Sequence, residues 1–90
     1  MAEFFIGDVV TSTAGRDKGE IFLVTDVTFD RVFVVNGKKR KTGAPKKKNP
    51  KHLVKATEAS LKEEALKIKR KEPYGAKKLY KVIKRASQNQ

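Results

Sequence analysis

Apolar positions in the N-terminal part of the chain come in short, β-branched runs separated by turn residues, the pattern of strands. Phe5 to Ser12 is one such run, and Gly7 and Asp8 inside it predict a bent strand. Thr13 to Gly19 is a loop punctuated by Gly15 and Gly19. Glu20 to Val27 predicts a second strand centred on Ile21-Phe22-Leu23-Val24, and Val32 to Val35 a third beyond a turn over Thr28 to Arg31. Asn36-Gly37 carries the signature of a type I′ hairpin, whose two central positions need positive φ. Lys38 to Lys41 is expected to return as a fourth, charged strand. Short strands joined by tight turns predict a small, strongly bent barrel.

The pattern then changes. Gly43, Pro45 and Pro50 hold Lys41 to Pro50 extended, because residues before proline are pushed away from helix. Ser60 and Glu63 read as a capping box opening a helix from Leu61 to about Lys71, with a thin stripe of Leu61, Ala65 and Ile68. Beyond Pro73, Ala76, Leu79, Tyr80, Ile83 and Ala86 share one helical face, and Lys77, Lys78, Lys81, Lys84 and Arg85 the other. The expected division is a barrel with its basic arm over residues 1–55 and a basic helical extension over 56–90.

Charge adds an asymmetry that the apolar pattern does not show. Residues 1–37 sum to −3 and residues 38–90 to +15, giving +12 for the 90-residue chain. Nine basic residues and no acidic one lie between Lys38 and Lys55. Such a balance favours a polyanionic partner. The chain has no cysteine, one histidine and no tryptophan, so thiolate metal sites, disulfides and cysteine nucleophiles are excluded. No nucleophile–base pair is visible, and the expectation is a non-enzyme with no cofactor and no small-molecule substrate. Apolar stretches of four or five residues are far too short to span a membrane. Met1-Ala2-Glu3 has no positive n-region, and the cytoplasm is the expected compartment.

Gly7-Asp8-Val9-Val10 followed by Ala14-Gly15-Arg16-Asp17-Lys18-Gly19 resembles a KOW motif, an element of several ribosomal proteins and transcription elongation factors. With Val32 to Val35, Asn36-Gly37 and Pro45-Lys46-Lys47-Lys48-x-x-Lys51-His52-Leu53, the chain resembles the small bacterial KOW-domain RNA-binding proteins. These are related to archaeal and eukaryotic large-subunit ribosomal proteins. The resemblance covers roughly the first sixty percent of the chain. It implies a mainly β fold, an SH3-like β-barrel that binds RNA in a ribosomal setting; the one or two helices expected after about Lys55 lie outside the match.

Each candidate contact has a plainer reading beside it. In the Ala14–Gly19 loop, Arg16 and Lys18 can supply charge to a phosphate that two glycines let approach, with Asp17 orienting Arg16 through a salt bridge or accepting from a base or ribose group. The same residues can equally form an ordinary turn with a solvated tip, and the resemblance favours RNA contact. A nucleotide P-loop is excluded, because Glu20 follows Gly19 where Lys-Ser/Thr is needed. The clusters Lys38-Lys39-Arg40-Lys41 and Lys46-Lys47-Lys48 put seven cations within eleven positions. A polyanion relieves their repulsion and releases counterions, which favours backbone contact over a disordered basic linker. Lys51 joins this set, and His52 can stack on a base or donate to phosphate, or be a plain surface residue.

Phe22 and Phe33 are expected in the core, and no aromatic lies between Lys38 and Lys55. Structured RNA therefore fits better than a stacked single strand, and the resemblance makes ribosomal RNA the expected target. The basic terminal helix can dock on the barrel with Leu79 and Ile83 buried, lie along RNA, or lie on an anionic surface, in that order. The expected protein is monomeric and not membrane-bound, with an architectural DNA binder as the rival reading.

Overall fold

Successive side chains on a strand face opposite sides, and here both sides are buried. A computed structural model describes residues 4–38 and 44–88 of the chain. Its strands are β1 (Asp8–Ser12), β2 (Ile21–Val27), β3 (Val32–Val35), β4 (Lys46–Lys48) and β5 (Leu53–Ser60). All pairings are antiparallel, in the order β4-β3-β2-β1-β5. Val9, Leu23 and Val35 face two helices, α1 (Lys62–Lys69) and α2 (Ala76–Gln88), and pack with Ala65, Ile68, Leu79 and Ile83. Val10, Phe22, Val24, Val32, Val34 and Leu53 form a second cluster on the other face. The domain is thus a five-stranded antiparallel sheet with helices on one side and a core of its own on the other.

That second core exists because the sheet rolls up. β4 and β1 are three places apart in the strand order, which a flat sheet would separate by about 14 Å. The Lys48 ammonium on β4 nevertheless lies 3.1 Å from the Ser12 hydroxyl on β1. Two irregularities help the strands bend: the β2–β3 register shifts between Val24 and Asp26, and the β1–β5 register between Asp8 and Val10. β4 and β5 remain the two edges of the sheet, so the ladder is curled but not closed.

Several expectations need correction. The strand returning against β3 is Lys46–Lys48, paired Val32↔Lys48 through Val34↔Lys46; Lys39, Arg40 and Lys41 lie outside the described residues. Asn36-Gly37 is not a type I′ hairpin, since Gly37 has positive φ and Asn36 does not. Gly37 instead lies against α2, where an added Cβ would meet the Ala76 carbonyl oxygen at 2.1 Å. Leu53–Ser60 is a strand, so the division placed between residues 55 and 56 falls inside β5. Ser60 ends that strand and caps nothing; Leu61 is the N-cap of α1, without a side-chain hydrogen bond. Glu63 and Glu64 in the first turn still complement the helix dipole.

The terminal amphipathic helix docks on the sheet, with Leu79 and Ile83 at 0% exposure. Its apolar face is therefore occupied, and no helix among the described residues is long and apolar enough to cross a membrane. Leu79→Ala should cost about 2 to 5 kcal/mol, the usual range for emptying a buried leucine site. Urea denaturation of the two proteins would measure it.

Candidate nucleic-acid interface

The three consecutive lysines of β4 are not equivalent, because alternation sends the first and third one way and the second the other. Lys46 and Lys48 turn toward the Ala14–Gly19 loop. The Lys46 ammonium donates to Asp17 Oδ2 at 2.9 Å, and that of Lys48 donates to Asp17 Oδ1 at 3.0 Å. The Ser12 hydroxyl donates to Oδ1 at 2.7 Å. Lys48 is only 7% exposed and Asp17 only 6%, so this is an interior ion pair rather than a surface one. Lys47 points outward, with its ammonium 6.0 Å from the centre of the Phe33 ring.

Burial by itself would raise the pKa of the Asp17 carboxyl. The hydrogen bonds from Lys46, Ser12 and Lys48, with the charge of Lys48, outweigh it and hold that pKa well below the usual carboxylate range. Asp17 is therefore an anion near neutral pH. It joins the loop to β4 and sets the backbone from which Arg16 and Lys18 project.

This corrects three assignments. Asp17 orients the loop through Lys46 and Lys48, not Arg16 through a salt bridge. Lys48 is enclosed and has no free approach for a phosphate, and Lys46 is committed to Asp17 while remaining partly exposed. The repulsion expected in Lys46-Lys47-Lys48 is relieved internally, by one buried carboxylate. Phe22 is core as expected, whereas Phe33 is only half-buried.

The remaining cations of the set among the described residues do reach solvent. Arg16 and Lys18 are exposed on the loop, whose backbone is closed by Gly19 N–H donating to the Ser12 carbonyl at 2.8 Å and Glu20 N–H to that of Asp17 at 2.9 Å. Gly15 and Gly19 both have positive φ, and the space where a Cβ would stand on Gly19 is open. Lys51 and His52 are exposed on a 3-10 turn, Pro50–His52, capped by Asn49, whose side chain accepts from Lys51 N–H at 2.9 Å. The Thr13 N–H donates to the His52 carbonyl at 2.9 Å, which ties that turn to the start of the loop. Arg16, Lys18, Lys51 and His52 thus belong to two segments that meet at one end of β1.

Lys38 lies elsewhere on the rim of the same loop. Gly19, Glu20, Lys38, Tyr80 and Lys84 line one cleft, so α2 brings its own residues to the loop's far end. Sequence reasoning misses this meeting because Tyr80 is more than forty positions from Lys38 and shares the apolar stripe of the helix. The buried Asp17 clamp has a visible signal in the i, i+2 spacing of Lys46 and Lys48, once β4 is known to be a strand.

Together Arg16, Lys18, Lys38 and Lys51 make an exposed basic rim, with Glu20 as an acidic neighbour of Lys38. Such a rim can neutralise phosphates. Among the described residues, no cluster of three or more metal-ligating side chains is present. No protein-family model matches the chain, and no curated protein is significantly similar to it.

Proposed function

We propose that this protein is a non-enzymatic RNA-binding protein of the KOW type, its curled sheet serving as an SH3-like barrel, and that it docks on structured ribosomal RNA. The reading rests on the resemblance over Gly7–Gly19 and Pro45–Leu53. The observation that carries it is the loop clamped through Asp17, which presents Arg16 and Lys18 beside Lys51 and His52. Phosphate contacts position a protein on a helix, and cations preset on short loops make them with little ordering cost.

Among the described residues, Arg16, Lys18, Lys38, Lys47, Lys51 and His52 are the exposed members of the predicted set, and Lys84 of α2 lines the same cleft as Lys38. Lys48 drops out because it is buried, and Lys46 contributes only what its pairing with Asp17 leaves. Neutralising about six phosphates gives a log–log salt dependence of the binding constant with a slope near −4 to −5. Titrating a folded ribosomal RNA fragment at several salt concentrations would measure it, and a slope near −1 would contradict the proposed rim. Competition at matched salt tests the rival: duplex DNA displacing the RNA efficiently would favour an architectural DNA binder.

A further inference from the structure

The cleft between the loop and α2 has a composition that phosphate binding alone does not need. Tyr80 is half-buried there, and two ammonium groups, of Lys38 and Lys84, each lie 5.6 Å from the centre of its ring. The cleft measures about 250 Å3 and is also lined by Gly19, Glu20 and Asn36. Asn36 is buried; its side-chain carbonyl accepts from Lys38 N–H at 3.0 Å and its amide donates to Glu20 Oε1 at 3.4 Å. Its position, and with it the backbone of Lys38, is therefore fixed.

We infer that this cleft is a subsite for one unpaired nucleotide, whose base stacks on Tyr80 and whose phosphate lies between Lys38 and Lys84. The inference rests on the RNA-binding reading above and refines it. Two features point to a nucleotide rather than a bare anion. An aromatic ring between cations is the arrangement by which single-stranded nucleic acid is held, since every base has a face to stack and a phosphate beside it. The Glu20 carboxylate that lines the cleft can accept from the exocyclic amine of a base, a donor that a bare phosphate does not offer.

The free protein holds the ring with the lysines over it. On binding, the base takes a ring face and the ammonium groups move to phosphate oxygens. Structured RNA offers such nucleotides in loops and bulges, where bases are already unstacked. The subsite would give the protein a preference for looped over fully paired RNA, which backbone contacts cannot supply.

The chain has two tyrosines and no tryptophan, so Tyr74→Phe leaves Tyr80 as the sole fluorophore of its kind. That protein would be titrated with a stem-loop RNA carrying unpaired nucleotides and with a fully paired duplex of the same stem. The expected result is quenching of tyrosine emission by the stem-loop and not by the duplex. Tyr80→Leu in the full chain should then weaken stem-loop binding about ten- to a hundredfold and leave duplex binding unchanged. Tyr80→Trp should keep the stem-loop preference, which separates stacking from any loss of helix packing in the leucine variant. Unquenched emission at saturation, or equal stem-loop binding by Tyr80→Leu and the parent, would overturn the subsite and leave the RNA-binding reading standing. A parent protein that binds neither RNA would overturn both.

Discussion

Asp17→Ala is expected to cost about 3 to 5 kcal/mol of folding stability, the usual consequence of leaving one member of a buried ion pair uncompensated. The variant keeps the Lys48 ammonium enclosed at 7% exposure but removes the carboxylate it donates to. For a domain of this size that corresponds to a fall of roughly 12 to 40 °C in Tm. Asp17→Ala combined with Lys48→Met should recover much of the loss, because an apolar side chain of similar length needs no partner. Calorimetry on the three proteins would show it, and a single variant as stable as the parent would contradict the buried clamp.

The same carboxylate fixes an acid limb. Its folded pKa lies below the unfolded value, so its contribution to stability is fully present above about pH 4 and is lost as pH falls through the folded value. Denaturation midpoints of the parent should therefore drop steeply below about pH 4. Those of Asp17→Ala should drop less.

Gly37→Val is the second change with a large expected effect. At φ +76 a β-branched residue is strained, and its Cβ would stand 2.1 Å from the Ala76 carbonyl oxygen and 3.3 Å from the Tyr80 nitrogen. Both are backbone atoms of α2, so no side-chain rotation relieves the overlap and the helix must move off the sheet. Exposing Leu79 and Ile83 would forfeit about 3 to 6 kcal/mol of burial. Limited proteolysis should cut the variant within Ala76 to Gln88 while the parent resists. Gly19→Val is the control: its φ is also positive, but the surrounding space is open, so only strain of about 1 to 2 kcal/mol is expected.

Much of this architecture is legible in the order of the residues alone. Ile21–Val27 and Val32–Val35 are apolar and β-branched enough to be strands in any context, and α2 announces itself by its stripe. β5 is hidden because among its eight residues only Leu53 and Thr57 are buried, and Lys55 midway between them is exposed, so no alternating apolar pattern shows. β4 is hidden for a different reason. Three lysines read as solvated charge, and they become a strand only through pairing with β3 and through Asp17, which lies 29 and 31 positions away. Asn36-Gly37 misleads because Gly37 answers to helix packing rather than to a hairpin. Of the candidate site, Arg16, Lys18, Lys47, Lys51 and His52 lie on the solvent side. Lys48 is not, because a run of like residues does not reveal which of them faces inward.

The central claim is that an exposed cationic rim holds this protein on ribosomal RNA. Sedimentation of the tagged protein through a sucrose gradient, in native lysate with and without ribonuclease and at two salt concentrations, tests it most directly. The predicted result is migration with ribosomal particles at low salt, abolished by ribonuclease and by high salt alike. Protein remaining at the top of the low-salt gradient would contradict the claim.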